Sequence, residues 1–274
     1  MTYNNKKKWL SAPYALWSAI FIIVPLCMIF YYGLTDKTGA FTLDNIIAIT
    51  TVGHAKALRL SILLSLACTL VCFLLAYPLA MILANRKGNK HQFIILVFIL
   101  PMWMNFLLRT LAWQTLLEKN GVINNVLTFL GMPNIKIINT PAAIVLGMVY
   151  NFLPFMVLPL YNALSKIDEN VINAARDLGA GSVYTFIRII LPLSVPGIIS
   201  GITMVFVPAL TTFVISSLLG GSKLLLIGDV IEQEFTRASN WHLGSGLSIV
   251  LMVFILFNMV LSAVFDKDGE GSML

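Results

Sequence analysis

The sequence predicts an all-α integral membrane protein with six transmembrane helices, and three observations lead there. Hydrophobic residues make up 58% of the 274-residue chain and charged residues only 11%, with a mean hydropathy of +0.89. A globular domain carries about 25% charged residues to cover its surface, so most of this exterior must face lipid. The apolar residues gather in charge-poor runs of the length a spanning helix needs, about 20 residues. The basic residues cluster beside those runs. The net charge of +6 therefore reads as a topology signal and not as a phosphate-binding face for nucleic acid.

Taken in order, the runs are Tyr14–Leu34, Ser61–Ala84, Phe93–Leu117 interrupted by Arg109, Thr140–Ser165, Ile189–Ser222 and Leu243–Phe265. The first follows Lys6, Lys7 and Lys8 but has no small-x-small cleavage site after it, so an uncleaved helix fits better than a signal peptide. The fifth is too long for one straight helix and contains Pro192, Pro196 and Pro208. A helix from about Ile189 to Leu210 followed by a bent or re-entrant segment is expected, because neighbouring helices can re-satisfy carbonyls that proline frees. Six spans put both termini on one side. The lysine triplet and the tight Arg86-Lys87-Lys90 turn place that side in the cytoplasm. Trp9, Trp17, Trp113 and Trp241 fall near span ends as interfacial anchors. With no long linker, the chain reads as one domain over 1–274. Cys27, Cys68 and Cys72 lie in apolar runs, where packing is a better reading than a disulfide framework or a metal site.

The segment 166–188, KIDENVINAARDLGAGSVYTFIR, falls between spans four and five on the expected cytoplasmic side. Asp168 is placed to cap a helix whose first turn holds Glu169. Val171, Ile172, Ala175 and Leu178 then recur at helical spacing. Gly179 ends that helix by tolerating a left-handed turn, and Ser182 is placed to cap a second helix running into span five. An amphipathic helix presented between two spans either lies in a groove of a partner or rests in the lipid headgroups.

Asn173-Ala174-Ala175, Gly179 and Ile189-Ile190-Leu191-Pro192 together resemble the cytoplasmic signature of ABC importer permeases. The family pattern is Glu-Ala-Ala, three residues, Gly, nine residues, then Ile-x-Leu-Pro. The spacing matches throughout; Asn173 stands where the family usually has glutamate. The resemblance implies the type I importer permease fold, with a coupling helix between spans 4 and 5 that docks into a cleft on a cytosolic ATPase. Asn173, Ala174, Ala175, Arg176, Asp177 and Gly179 would form the lever, and Ile189, Leu191 and Pro192 its junction with span five.

Further stretches resemble one branch of that family, the spermidine/putrescine permeases: Pro101-x-Trp103-x-Asn105-x-x-x-Arg109, the run from Asn151 to Tyr161, and Leu219-Gly220-Gly221 through Gly228 to Asn240-Trp241. The resemblance implies a second related permease, two ATPase subunits that carry ATP–Mg, and an external polyamine-binding protein. No cofactor is expected on this chain.

The residues themselves support a polycation only in part. Asp229, Glu232 and Glu234 either draw amines into an outward-facing cavity or are ordinary charges of a solvated loop. Trp103, Tyr150 and Tyr161 offer ring faces to ammonium groups or simply pack. Asn105 and Arg109 complete the expected substrate path, and an ionisable group within a span usually faces a cavity or partner. Two other classes fit poorly. An intramembrane enzyme needs a catalytic pair within the spans, whereas His54, His91 and His242 fall in loops or at span ends. A secondary transporter typically shows internal repeats and mid-membrane ionisable groups, and only Arg109 is of that kind. No Gly-x-x-x-x-Gly-Lys-Ser/Thr phosphate loop occurs in the sequence, as expected of a non-enzymatic subunit. The same type of permease for another small solute is the nearest alternative.

Overall fold

The structure, a computed structural model, describes residues 12–85, 97–98, 100–221 and 224–271. Trp9, the lysine triplet, the Arg86-Lys87-Lys90 turn and His91 lie outside them. The first helix, α1, comprises Ala12–Ser18, a π turn at Ala19–Ile23, and Val24–Gly33. It is followed by α2 (Val52–Ala84), α3 (Phe106–Leu117), α4 (Val122–Phe129) and α5 (Pro141–Leu164). Then come α6 (Glu169–Asp177), α7 (Ser182–Leu193), α8 (Val195–Thr211), α9 (Val214–Leu219), α10 (Ile227–Thr236) and α11 (Trp241–Gly271).

Among the described residues, four helices are long and apolar enough to cross a membrane: Leu16–Gly33, α2, α5 and Trp241–Ala263. The pair α7 and α8, bent by 62°, reaches the same length and apolarity only when taken together as one broken span. The expected third span differs from a single helix. A 3-10 turn at Leu100–Trp103 is followed by a break, and α3 starts afresh where the Asn105 side chain accepts the N–H groups of Leu107 and Leu108. The break expected after about Leu210 falls at Thr212 and Phe213, which separate α8 from α9, and a further bend that was not expected lies at Ser194, before α8.

Both π turns have one cause. Each is closed by the residue before a proline, Val24-Pro25 and Leu191-Pro192, whose backbone N–H reaches back five residues, Val24 to Ala19 O and Leu191 to Phe186 O. A proline ring crowds the carbonyl four residues back and donates nothing to it, so the preceding turn widens.

Close packing divides the chain into two compact units, Met1–Ala55 with Val230–Phe254, and Lys56–Asp229 with Ile255–Leu274. In the first, α1 exposes Tyr14, Trp17, Phe21, Ile23 and Val24, the surface of a helix whose solvent is lipid. Its C-terminal end packs closely: Gly33 faces Ile249 and the backbone of Gly246, and Gly246 in turn faces the backbone of Asn45. His242 Nδ1–H donates to Thr35 O at 2.7 Å and to Tyr32 O at 3.1 Å. In the turn after α1, Asp36 accepts from the backbone of Thr38 and Ala40 and from the Thr38 hydroxyl. These bonds to the charged form hold its carboxyl below the ordinary value of 3.8, the Thr38 hydroxyl contributing most.

In the second unit α5 is the central helix. Ala143, Ile144, Met148, Met156 and Leu160 along it are fully buried. Its main neighbour is α8, whose sequence Gly197-Ile-Ile-Ser-Gly201 puts two glycines one turn apart on one face. A Cβ at Gly197 would lie 2.5 Å from Ala163 Cβ and 2.8 Å from Pro159 O, and one at Gly201 2.6 Å from Met156 Sδ. Small residues at this spacing let membrane helices approach backbone to backbone, where van der Waals packing replaces the missing hydrophobic drive. Cys68 and Cys72 of α2 are fully buried, with sulfurs 4.0 Å apart, and Cys72 Sγ faces Val149 O on α5.

Candidate functional site

The loop between α5 and α8 has the form expected from its residues. Asp168 accepts the Asn170 N–H at 2.9 Å and starts α6. Glu169 occupies the first turn and Arg176 the last, both complementing the helix dipole. The helix stops at Gly179, where φ is +86° and the Gly179 and Ala180 N–H groups return to Arg176 O and Ala175 O. One local expectation is corrected. The residue capping α7 is Gly181, not Ser182, and no side chain caps this end. An extended Gly181 (φ −68°, ψ 160°) leads straight into the helix, and Ser182 is already its first residue.

The inner side of α6 rests on the ends of α2 and α5. Glu169 and Ile172 line a pocket of ≈ 120 Å³ with Met81, Ala84, Asn85, Leu164, Ser165, Ile167 and Ile190. The other side is open. Asn173, Ala174, Arg176, Asp177 and Gly179 are exposed and Ala175 is half-buried. Exposed apolar side chains accompany them: Val171 at 45%, Leu178 at 90% and Val183 at 72% of their accessible surface. Past the loop, Ile189 and Leu191 are half-buried, Pro192 is exposed, and Ile190 and Leu191 pack on the core.

The expected substrate-path residues do not form one site. Trp103 is exposed on its 3-10 turn, and Asn105 is committed to capping α3. Arg109 is buried, and its Nε and Nη1 have no hydrogen-bond partner among the described residues. Tyr150 lies edge-on to Trp113 with ring centroids 5.3 Å apart. The two rings share an almost wholly apolar groove with Val71, Pro141, Val145, Leu146, Val149 and Leu153. Tyr161 is half-buried against the core.

The acidic group is divided. Asp229 is buried, and its Oδ2 accepts the Leu226 N–H at 2.8 Å. The next N–H, that of Ile227, donates to Ser61 Oγ of α2 at 2.8 Å. Asp229 therefore helps to satisfy the orphan donors that open α10. Glu232 and Glu234 are half-buried further along that helix, about 160° apart around its axis at 100° per residue. Glu232 accepts from the Thr236 hydroxyl.

Sequence reasoning passed over Tyr77 and Ser194. Both are buried, and their hydroxyl oxygens lie 2.8 Å apart across 117 positions of sequence. Ser194 stands between Pro192 and Pro196, which was a local signal for a break there. Nothing local pointed to Tyr77. Among the described residues no three His, Cys, Asp or Glu side chains gather as metal ligands.

The chain matches relatives and solved structures over most of its length. It is 35% identical over 266 residues to the spermidine/putrescine transport system permease protein PotB of Haemophilus influenzae, covering 93% of each chain. It is 38% identical over 245 residues to PotB of Escherichia coli, covering 86% of this chain and 89% of that one. In structure it resembles a chain of a bacterial ABC transporter involved in import of the acidic polysaccharide alginate, with a TM-score of 0.78, 18% identity, and coverage of 95% and 97%. A chain of the MetNI methionine ABC transporter gives a TM-score of 0.56 at 16% identity, covering 78% of this chain and 95% of that one. Both likenesses show the fold of an ABC permease. Residues 76–267, which include the loop, the bend and the α5–α8 seam, match the model of the binding-protein-dependent transport system inner membrane component, and to that family of multi-pass membrane transport proteins the chain belongs.

Proposed function

We propose that the chain is the permease subunit of an ATP-driven polyamine importer and forms half of its translocation pathway. The observation that carries the transport mechanism is the loop 166–188. It presents a capped amphipathic helix, a left-handed glycine hinge and exposed Val171, Leu178 and Val183. Apolar side chains so exposed on a short helix fit a groove on a partner. The partner is a cytosolic ATPase, two copies of which hold ATP–Mg, while this chain binds no nucleotide. A second permease and an external polyamine-binding protein complete the machine, in a bacterial inner membrane with both termini of this chain in the cytoplasm. Asn173, Ala174, Ala175, Arg176, Asp177 and Gly179 move with the ATPase, and Ile189, Leu191 and Pro192 pass that motion to α8.

The polyamine class rests on 35% and 38% identity to two PotB permeases over most of both chains. The divided acidic group adds nothing to it. The test is ATP hydrolysis by the reconstituted assembly in the presence of spermidine or putrescine. Stimulation that vanishes without the binding protein supports the whole reading. An assembly that hydrolyses ATP but ignores both amines keeps the permease and discards the substrate. Failure to bind an ATPase removes the mechanism.

A further inference from the structure

The break between α7 and α8 is held open by a hydrogen-bond relay. Ser194 has a single hydroxyl proton, and its Oγ lies 2.9 Å from Leu191 O in donating geometry. With that proton committed, Tyr77 Oη–H donates to Ser194 Oγ across the 2.8 Å between them. The Ser194 N–H also turns back, reaching Ile190 O at 3.0 Å and Leu191 O at 3.2 Å. Pro196 explains why the helix breaks beside these carbonyls. It lacks the N–H that would reach back to Pro192, and its ring crowds that carbonyl, so the helix ladder stops there. Ser194 closes the first helix on Ile190 O and Leu191 O and then starts the next, its own carbonyl accepting from Ile198 at 3.0 Å.

Tyr77 touches this joint twice. Its hydroxyl reaches the bend, and its ring takes the edge of Phe186 at 5.8 Å and 86°. Phe186 opens the π turn that follows the loop. On its other side the ring leans on Phe73 of α2, with centroids 5.4 Å apart. One side chain of α2 thus grips both ends of the segment 186–194, and that segment is the covalent path from the loop to α8. Beyond the bend, α8 is locked to α5 through Gly197 and Gly201. A displacement of the loop therefore meets a segment whose angle is fixed at one point before it reaches a rigid pair of helices.

We propose that Tyr77 is a positioning residue for energy coupling: with Ser194 and Leu191 O it forms the pivot that makes the α7–α8 bend transmit loop displacement to the spans. The coupling role rests on the permease reading above; the pivot itself does not. The relay also predicts an asymmetry between its two members. Tyr77→Phe leaves the Ser194 proton on Leu191 O and orphans nothing. Ser194→Ala strips Leu191 O of its hydroxyl donor and leaves the buried Tyr77 hydroxyl without its partner. Removing both hydroxyls relieves that orphan.

Two measurements test it. Hydrogen exchange of the purified full chain in detergent reads the pivot without any transport. Tyr77→Phe should speed exchange over 186–198 and leave α5 unchanged; unchanged exchange there overturns the pivot. Uptake of labelled putrescine per ATP hydrolysed, by the complete assembly in liposomes, reads the coupling. Tyr77→Phe should lower that ratio roughly three- to tenfold, the range set by one neutral hydrogen bond, while ATP hydrolysis persists. Ser194→Ala should lower it further, and the double variant should lie nearer Tyr77→Phe than Ser194→Ala. A ratio unchanged in both single variants, with exchange altered, makes the contact ordinary packing and overturns the coupling role. A wild-type assembly inert to polyamines defeats the functional reading, and the exchange experiment still decides the pivot.

Discussion

Gly197 and Gly201 occupy the same face of α8, yet adding one methyl group at each should have different consequences. At Gly197 the new Cβ falls 2.5 Å from Ala163 Cβ and 2.8 Å from Pro159 O. Carbon atoms rest at about 3.5–4.0 Å, so the overlap is about 1 Å, and one of its partners is backbone that cannot rotate aside. Such overpacking costs about 1–3 kcal/mol, offset by about 1 kcal/mol because alanine favours the helix over glycine. Gly197→Ala should therefore destabilise by up to about 2 kcal/mol. At Gly201 the near atom is Met156 Sδ at 2.6 Å, and the closest backbone atom is 3.4 Å away. A thioether on three rotatable bonds can move, so Gly201→Ala should be close to neutral. The assay is the unfolding midpoint of each variant in mixed micelles, with assembly checked by size exclusion. Equal midpoints, or a larger loss at Gly201, would refute the backbone-seam reading of α5 and α8.

Other perturbations follow from the same geometry. Gly179→Pro demands φ near −65° where the chain holds +86° and removes the N–H that bonds Arg176 O; uptake should be lost while the spans still assemble, and full uptake would refute the lever. Leu178→Glu should leave chain stability within about 0.5 kcal/mol, since the residue is 90% exposed, but weaken co-purification of the ATPase roughly tenfold, as removal of an apolar anchor does. Asp229→Ala should destabilise the opening of α10 by about 1–3 kcal/mol, because the buried Leu226 N–H loses its acceptor; an unaltered unfolding midpoint with weakened polyamine uptake would instead return Asp229 to the substrate path. The Asp36 turn should hold at neutral pH and loosen in acid. The folded carboxyl lies below its ordinary 3.8, so the stabilisation is present above that value and disappears as pH falls through the depressed one. Amide exchange at Thr38 and Ala40 reads this, and Asp36→Asn should remove the pH dependence.

What was legible in the sequence was local. Asp168 before Glu169, and Gly179 after Leu178, announce a helix start and stop through the chemistry of neighbouring backbone groups, and both appear at the expected residues. The spans α1, α2, α5 and α11 were legible because lipid imposes length and apolarity on every one of them. Three prolines in one apolar run gave the break after α8 but not the bend at Ser194. Pro208 continues inside α8, while Pro196 lies in its first turn, where a proline begins a helix and cannot continue the one before it. Asn105 stood in the expected substrate path, yet its position before Phe106 makes it a cap. Asp229, Glu232 and Glu234 are neighbours in sequence, but Glu234 lies about 140–160° around the helix from the other two, and Asp229 is buried. That distinction needed the helix phase and the Ser61 contact from α2, and neither is local.

The loop, the bend and the seam differ in how firmly they are held, and the order matters for transmission. Leu178 and Val183 lie open, so on this side α6 and the start of α7 are covered only by a partner. The segment 186–194 is held at discrete points, two of them on Tyr77. The α5–α8 pair is close-packed along two turns, with glycine backbone against Pro159 and Met156. A lever needs this sequence of a free end, a fixed pivot and a stiff arm. If the bend were as loose as the loop, ATPase motion would dissipate in the turn at Ser194. If it were as tightly packed as the seam, the loop could not move without displacing the core around Met156 and Leu160. A single neutral hydrogen bond, worth about 1 kcal/mol net, gives the joint a preferred angle at an energy that binding of an ATPase can exceed. The polar atoms of Tyr77 and Ser194 are therefore placed where a buried apolar pair of the same size would pack equally well but fix no angle.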